Sequence, residues 1–192
     1  KLASEEILRI LCNTHGVEYN IAVPHNVIGQ KQKYDDPFRN VVSIMVNLML
    51  QNRSPIIFGD GNQVRSFSDI KDCIYCIDKL ARDKKIKSEI FNIGPDEEAI
   101  SINELYKTLS NKLKFNKEPK YYPDRPNEVK KAVCSSQKAR KKLNYKTTIS
   151  LTDSIDGVIK FIKKNKTRKF KYNKNLEIIT PKTPKPWKEK LY

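Results

Sequence analysis

Arginine is the side chain best shaped to hold a diphosphate, because its planar guanidinium delivers parallel donors and a permanent charge. Two arginines stand where the chain could present them. Arg65 follows the Gly59-Asp60-Gly61 turn, and Arg125 sits in the proline-flanked loop from Pro123 to Glu128. Glu128 lies three positions on and supplies a carboxylate able to accept hydrogen bonds from ribose hydroxyls. Phe58, ahead of the glycine turn, could stack on a base; Asn26, past the end of a short apolar strand, could orient a sugar hydroxyl, with His25 beside it lining a cofactor pocket. Each has a plainer alternative: surface ion pairs for the arginines, core packing for Phe58, and turn chemistry for His25 and Asn26.

Other chemistries find less support. Cys73 and Cys76 form a C-x-x-C, but they fall in the amphipathic stretch Asp69 to Ile77, where residues three apart share the apolar face. No second cysteine pair or nearby histidine completes a zinc site, so a core role is expected and no metal. H-E-x-x-H, G-x-S-x-G, Walker and G-x-G-x-x-G motifs are missing from the 192 residues. Taken alone, these residues support an α/β domain with an anion site.

The elements that must position these groups follow from periodicity. Leu2, Ile7, Ile10 and Leu11 are spaced for a helix over 2–14 that stops at His15-Gly16. Tyr19 to Val23 reads as a buried parallel strand stopped by Pro24, and in open α/β sheets ligands sit beyond that end of a strand. Further helices are expected over 40–51, 69–82, 101–113, 136–143 and 151–164, with strands at 55–58, 90–94 and 120–122 and an extended piece at 65–68. Asp69 is a plausible N-cap, and Ser101-Ile102-Asn103-Glu104 is a capping box. Beyond Asn165 the pattern fails, and residues 166–192 read as a flexible or surface-draped extension with Pro181, Pro184, Pro186 and Trp187.

Charge and composition bound the rest. The chain carries a net +16 with 38% hydrophobic residues, enough for a sizeable core. Residues 166–192 hold nine Lys or Arg against two Glu, a net +7, which leaves +9 scattered over residues 1–165 as a solvated lysine excess. Polyanions are candidate partners, although nucleic-acid binding by the folded part is not favoured. No 18-residue apolar run offers a membrane span, and four unclustered cysteines fit a reducing cytoplasm. The first residue is Lys, and Lys1 to Glu6 already reads as mid-helix, so a preceding segment is expected.

Taken in order, the motifs resemble the C-terminal part of the extended short-chain dehydrogenases, the NAD-dependent nucleotide-sugar epimerases and dehydratases. The resemblance runs from K-L-A-S-E-E (Lys1 to Glu6) through P-H-N-V-I-G (Pro24 to Gly29), D-P-F-R-N-V (Asp36 to Val41) and F-G-D-G-N-Q-V-R-S-F (Phe58 to Phe67). It continues through F-N-I-G (Phe91 to Gly94), R-P-N-E-V (Arg125 to Val129) and K-L-N-Y (Lys142 to Tyr145), covering residues 1–165 and leaving the basic tail outside.

The resemblance implies an α/β fold: the C-terminal portion of a Rossmann-like NAD(P)-binding fold plus the smaller α/β substrate-binding domain. Residues 1–30 would end the dinucleotide-binding domain and 31–165 form the nucleotide-sugar-binding domain, with strand 89–93 returning to the Rossmann sheet and 166–192 a tail. Lys1 looks like the lysine of the catalytic Y-x-x-x-K, whose tyrosine would lie four residues upstream. Lys1, Pro24 and His25 would border the NAD cofactor; Asn26, Asn40 and Val41 would contact substrate, Phe58 stack on the base, Arg65 and Arg125 clamp the diphosphate, and Glu128 hold the ribose. The implied reaction is a UDP-sugar 4-epimerisation through a 4-keto intermediate, by a homodimer, with this chain inactive alone. A 4,6-dehydratase, a UDP-glucuronate decarboxylase and a non-catalytic nucleotide-sugar-binding remnant are the alternatives.

Overall fold

A computed structural model describes residues 1–172 and 179–192. The first helix, α1 (Leu2–His15), ends where Gly16 takes φ 65°, a left-handed conformation open to glycine at little cost. Strand β1 (Asn20–Pro24) and the short β2 (Val27–Ile28) follow, then α2 (Val41–Leu50), whose cap is the Asn40 side chain accepting from the Val42 amide. Helix α2 is apolar around most of its circumference, and eight of its ten residues are buried, which makes it the central helix of the core.

The middle of the chain alternates strand and helix as its hydrophobic periods require. Strands β3 (Ile56–Phe58), β4 (Val64–Arg65) and β5 (Ser68–Asp69) lead into α3 (Ile70–Arg82), capped by the Asp69 carboxylate on the Lys71 amide. After β6 (Glu89–Ile93) and β7 (Ile100–Ser101), the capping box of Ser101 and Glu104 starts α4 (Ile102–Leu113) as the sequence anticipates. Strands β8 (Lys120–Tyr122) and β9 (Lys131–Ala132) and helices α5 (Gln137–Leu143) and α6 (Leu151–Asn165) complete the region.

Most strand pairs are parallel. Strand β1 pairs with β6 from Asn20 opposite Glu89 to Pro24 opposite Ile93, β2 pairs with β5, and β3 pairs with β8. In the remaining sheet β4 lies between β7, antiparallel, and β9, parallel. One core gathers α2, α4 and α6 through Met45, Leu105, Leu109, Ile155 and Ile162; a second gathers α3, β6 and α5 through Cys73, Cys76, Phe91 and Leu143. The two cysteines are thus core residues, and burial pushes the Cys73 thiol up to about 12 and the Cys76 thiol up to about 11. Among the described residues no helix is long and apolar enough to cross a membrane.

Two regions depart from simple periodicity. The apolar residues of α1 face outward, with Leu2 74% and Ile10 63% exposed, and Cys12 is the one buried residue of that helix. The tail, in contrast, is built into the fold where it is described. Asn47, fully buried on α2, donates to the Arg168 carbonyl and accepts from the Arg168 amide, while the Lys171 amide donates to the Asp35 carbonyl. Phe170, Tyr172, Trp187, Leu191 and Tyr192 pack on Ile44, Leu48, Ile56 and Phe58, and a short helix α7 (Lys185–Lys188) carries the tryptophan. Of the two forms expected for this extension, the described segments take the surface-draped one and not the flexible one; residues 173–178 of the expected tail lie outside the described residues.

Candidate nucleotide-sugar site

Asn26, Asn40, Val41, Phe58, Arg65, Arg125 and Glu128 line one cavity of about 260 Å³. They come from distant elements: the loop after β1, the cap and first turn of α2, the end of β3, β4, and the loop after β8. The cavity forms because parallel strands end together and their loops converge beyond the carboxyl ends, where backbone polar groups are left to face a ligand.

At its centre Glu128 holds both arginines. Its Oε1 accepts from Arg65 Nη2 at 2.6 Å and its Oε2 from Arg125 Nε at 2.5 Å. The Glu128 side chain is 4% exposed and that of Arg65 14%, whereas Arg125 is 38% exposed at the rim. Two guanidinium charges against one carboxylate leave a surplus positive charge, and a phosphate brought beside it is attracted where solvent screening is weak. Arg65 is further fixed by donating Nη1 to the Val64 carbonyl. Arg125 lies with its guanidinium carbon 5.2 Å from the Phe58 ring centroid, a cation–π contact that orients it over the aromatic floor.

The rest of the constellation is held by turn chemistry. Asn26 takes φ 42° and donates its amide to the Ser66 carbonyl at 2.9 Å, tying the β1 loop to the strand that bears Arg65. His25 stands behind it: its Nε2 donates to the Ala132 carbonyl at 2.8 Å and its backbone amide to the Ile93 carbonyl. Pro24 ends β1 next to Ile93 of β6. Lys1 is exposed at the start of α1 and does not line the cavity. Seven of the expected residues therefore share one cavity, His25 supports it, and Lys1 stands apart.

Residues outside the sequence-based set also line it, among them Phe38, Gln63, Trp187 and Tyr192. Gln63 lies inside the F-G-D-G-N-Q-V-R-S-F run and is 5% exposed, so its position was available to the sequence while its direction was not. Trp187 belongs to the tail, where no periodicity could have placed it. Among the described residues no group of three His, Cys, Asp or Glu could hold a metal ion.

Comparison with known proteins bears on the family and the fold. The profile of the NAD dependent epimerase/dehydratase family matches residues 1–94. A putative UDP-glucose 4-epimerase from Methanocaldococcus jannaschii is 36% identical over 167 residues, covering 86% of this chain and 52% of that protein. The crystal structure of a Thermotoga maritima UDP-glucose 4-epimerase with UDP-glucose superposes with TM-score 0.79 at 30% identity, and that of a Bacillus cereus UDP-glucuronic acid 4-epimerase with UDP-glucuronic acid and NAD with TM-score 0.80 at 27% identity. Each covers 86% of this chain, which spans about half (52%) of either structure.

Proposed function

Because the chain belongs to the NAD-dependent epimerase/dehydratase family, with the Rossmann-like α/β fold of its structural neighbours, we propose that it is the substrate-holding part of a nucleotide-sugar epimerase acting on a UDP-sugar. The observation that carries this reading is the Arg65–Glu128–Arg125 cluster, set beside Phe58 in a cavity otherwise walled by apolar and amide side chains together with Arg39 and Tyr192. A sugar diphosphate needs two things at once: a fixed cationic clamp for the pyrophosphate and a flat apolar surface for the base. The cavity offers both within one side chain's reach, since Arg125 stacks on Phe58.

Roles follow from position. Arg65 is the buried anchor of the clamp, preset by Glu128 and Val64, so little orientation entropy is lost when a phosphate oxygen arrives. Arg125, at the rim, closes on the outer phosphate. Asn40 caps α2 and lines the cavity with Val41, and Asn26, donating to the Ser66 carbonyl, holds the β1 loop beside them for the sugar.

For NAD the chain supplies one edge: Lys1, exposed and without an ion pair among the described residues, and Pro24 with His25 at the carboxyl end of the parallel pair β1–β6, the end at which dinucleotides lie in such sheets. These residues fit a cofactor border. NAD, when bound, supplies the hydride acceptor. The ammonium of Lys1 is the group that would hold the nicotinamide ribose, and the His25 ring is fixed by its Nε2–H donating to the Ala132 carbonyl.

Titration of UDP into the chain by calorimetry tests the reading. One-to-one binding is expected, weakened at least tenfold by Arg65→Ala and by Arg125→Ala, since a hydrogen bond to a charged group is worth about 1.5–3 kcal/mol. Equal binding by wild type and both variants would remove the diphosphate clamp from the argument.

A further inference from the structure

The cavity has a wall that the shared motifs do not supply. Trp187, from the tail outside the family resemblance, sets its indole 5.8 Å from the Phe58 ring and 5.3 Å from the Phe38 ring, each at 64°. The Arg125 guanidinium lies 5.8 Å from the same indole. Three aromatic rings and a guanidinium thus form a corner of the cavity, and such a corner takes a flat, weakly polar ring.

The segment that brings Trp187 there is anchored. Arg53 donates to the Leu191 carbonyl at 3.0 Å, the Tyr192 amide donates to the Tyr172 hydroxyl at 3.2 Å, and Tyr192 is 9% exposed. A loose plug would not bury these groups, so the indole belongs to the cavity as built.

Gln63 supports this corner. Nine-tenths buried and lining the cavity, it donates its amide to the Phe58 carbonyl at 2.8 Å and so holds the end of β3 that carries the Phe58 ring. A nucleobase, with two apolar faces and polar groups confined to its edge, answers the aromatic corner.

We propose that Trp187 is a substrate-binding residue that forms the aromatic wall of the nucleobase subsite, added to the shared scaffold by the tail. The proposal rests on the reading of this cavity as a nucleoside-diphosphate-sugar site. It divides the ligand's contacts: the arginines take the pyrophosphate, and Trp187 takes the base alone.

The test compares UDP with inorganic pyrophosphate on the whole chain, with Trp187→Ala and Trp187→Phe. Trp187 is the chain's single tryptophan, so tryptophan emission reports this ring and no other. UDP, which lays its base on the indole, is expected to quench the emission more strongly than pyrophosphate, which reaches the indole only through Arg125. Trp187→Ala should weaken UDP about tenfold, in line with base–aromatic stacking, and leave pyrophosphate binding as it was; Trp187→Phe should recover most of the loss. Equal or tighter UDP binding by Trp187→Ala overturns the proposal while keeping the site, because the ring is then a bystander or a plug. An equal loss for both ligands, unrelieved in Trp187→Phe, overturns it as a structural effect. Failure of the wild-type chain to bind either ligand overturns the nucleotide reading and this proposal with it.

Discussion

Arg65 and Glu128, sixty-three positions apart, meet at 2.6 Å inside the cavity, and the second oxygen of the same carboxylate takes Arg125. One acid therefore sets the spacing of two guanidiniums before any ligand arrives. The local backbone helps: the Glu128 amide donates to the Arg125 carbonyl across a turn in which Asn127 takes φ 57°.

Replacing Glu128 by Gln removes the charge that lets the two arginines coexist. Breaking a buried ion pair on one side strands the other, so unfolding stability should fall by about 3 kcal/mol, measured by urea denaturation. Pyrophosphate should answer the stranded charge and bind the variant about tenfold tighter than wild type. Unchanged stability together with unchanged pyrophosphate affinity would mean that Glu128 does not govern the clamp.

The turn ahead of Arg65 admits no side chain at Gly61. Its φ is 76°, and a Cβ added there falls 2.0 Å from Asn103 Oδ1. Asn103 cannot swing aside freely, because its amide donates to the Asp60 carbonyl and its oxygen accepts from the Tyr121 hydroxyl. Gly61→Ala should cost about 2 kcal/mol from left-handed strain and the collision together. Asn103→Ala removes the collision and leaves the strain, so Gly61→Ala should cost less in the Asn103→Ala background than in wild type.

Legibility in the sequence followed the range of the interaction. The caps at Asp69 and Ser101 were readable because their partners are two or three residues away. The helix periods of α3, α4 and α6 were readable because one buried stripe repeats along each. The outward face of α1 was not, since the spacing of Leu2, Ile7, Ile10 and Leu11 says that a face is apolar and not what covers it. The arginines and Glu128 stood out by type, yet their convergence depends on loops that sequence spacing does not aim. The sequence leaves the tail between flexible and surface-draped, because Phe170, Tyr172, Trp187 and Tyr192 follow no period; they are placed by packing on α2 and β3.

Asn47 tests how the tail is held. Its amide donates to the Tyr34 and Arg168 carbonyls at 3.1 and 2.9 Å, and its oxygen accepts from the Arg168 amide at 3.1 Å; Asn47 is fully buried, while Arg168 lies at the surface. Asn47→Leu keeps the volume, leaves the Tyr34 carbonyl and the Arg168 amide without their partner, at about 1–3 kcal/mol each where water is kept out, and leaves the Arg168 carbonyl to Gln51 Nε2 alone. A total loss of about 3 kcal/mol is expected, with faster hydrogen exchange at the Arg168 amide. Exchange as slow as in wild type would show that the aromatic contacts hold the tail without Asn47.

The buried thiols give the fold a definite alkaline limb. Cys73 and Cys76 are 1% and 0% exposed, and burial raises them from 9.0 to about 12 and about 11. The unfolded chain then releases these protons near pH 9 while the folded chain keeps them, so between those values the unfolded state binds fewer protons and stability falls as pH rises. The contribution is complete below pH 9 and is lost toward the folded values, at up to about 1.4 kcal/mol per pH unit for each thiol. Tyr145, in the same cluster, is pushed up from 10.0 to about 12, so the interval from pH 9 to 10 singles out the thiols, to which Cys134, also raised by burial, adds a share that Cys73 and Cys76 do not carry. Urea denaturation across that interval should show a declining stability whose slope flattens in Cys73→Ala/Cys76→Ala, even though that variant starts lower from lost packing. A slope unchanged by the double substitution would place the alkaline sensitivity elsewhere in the fold.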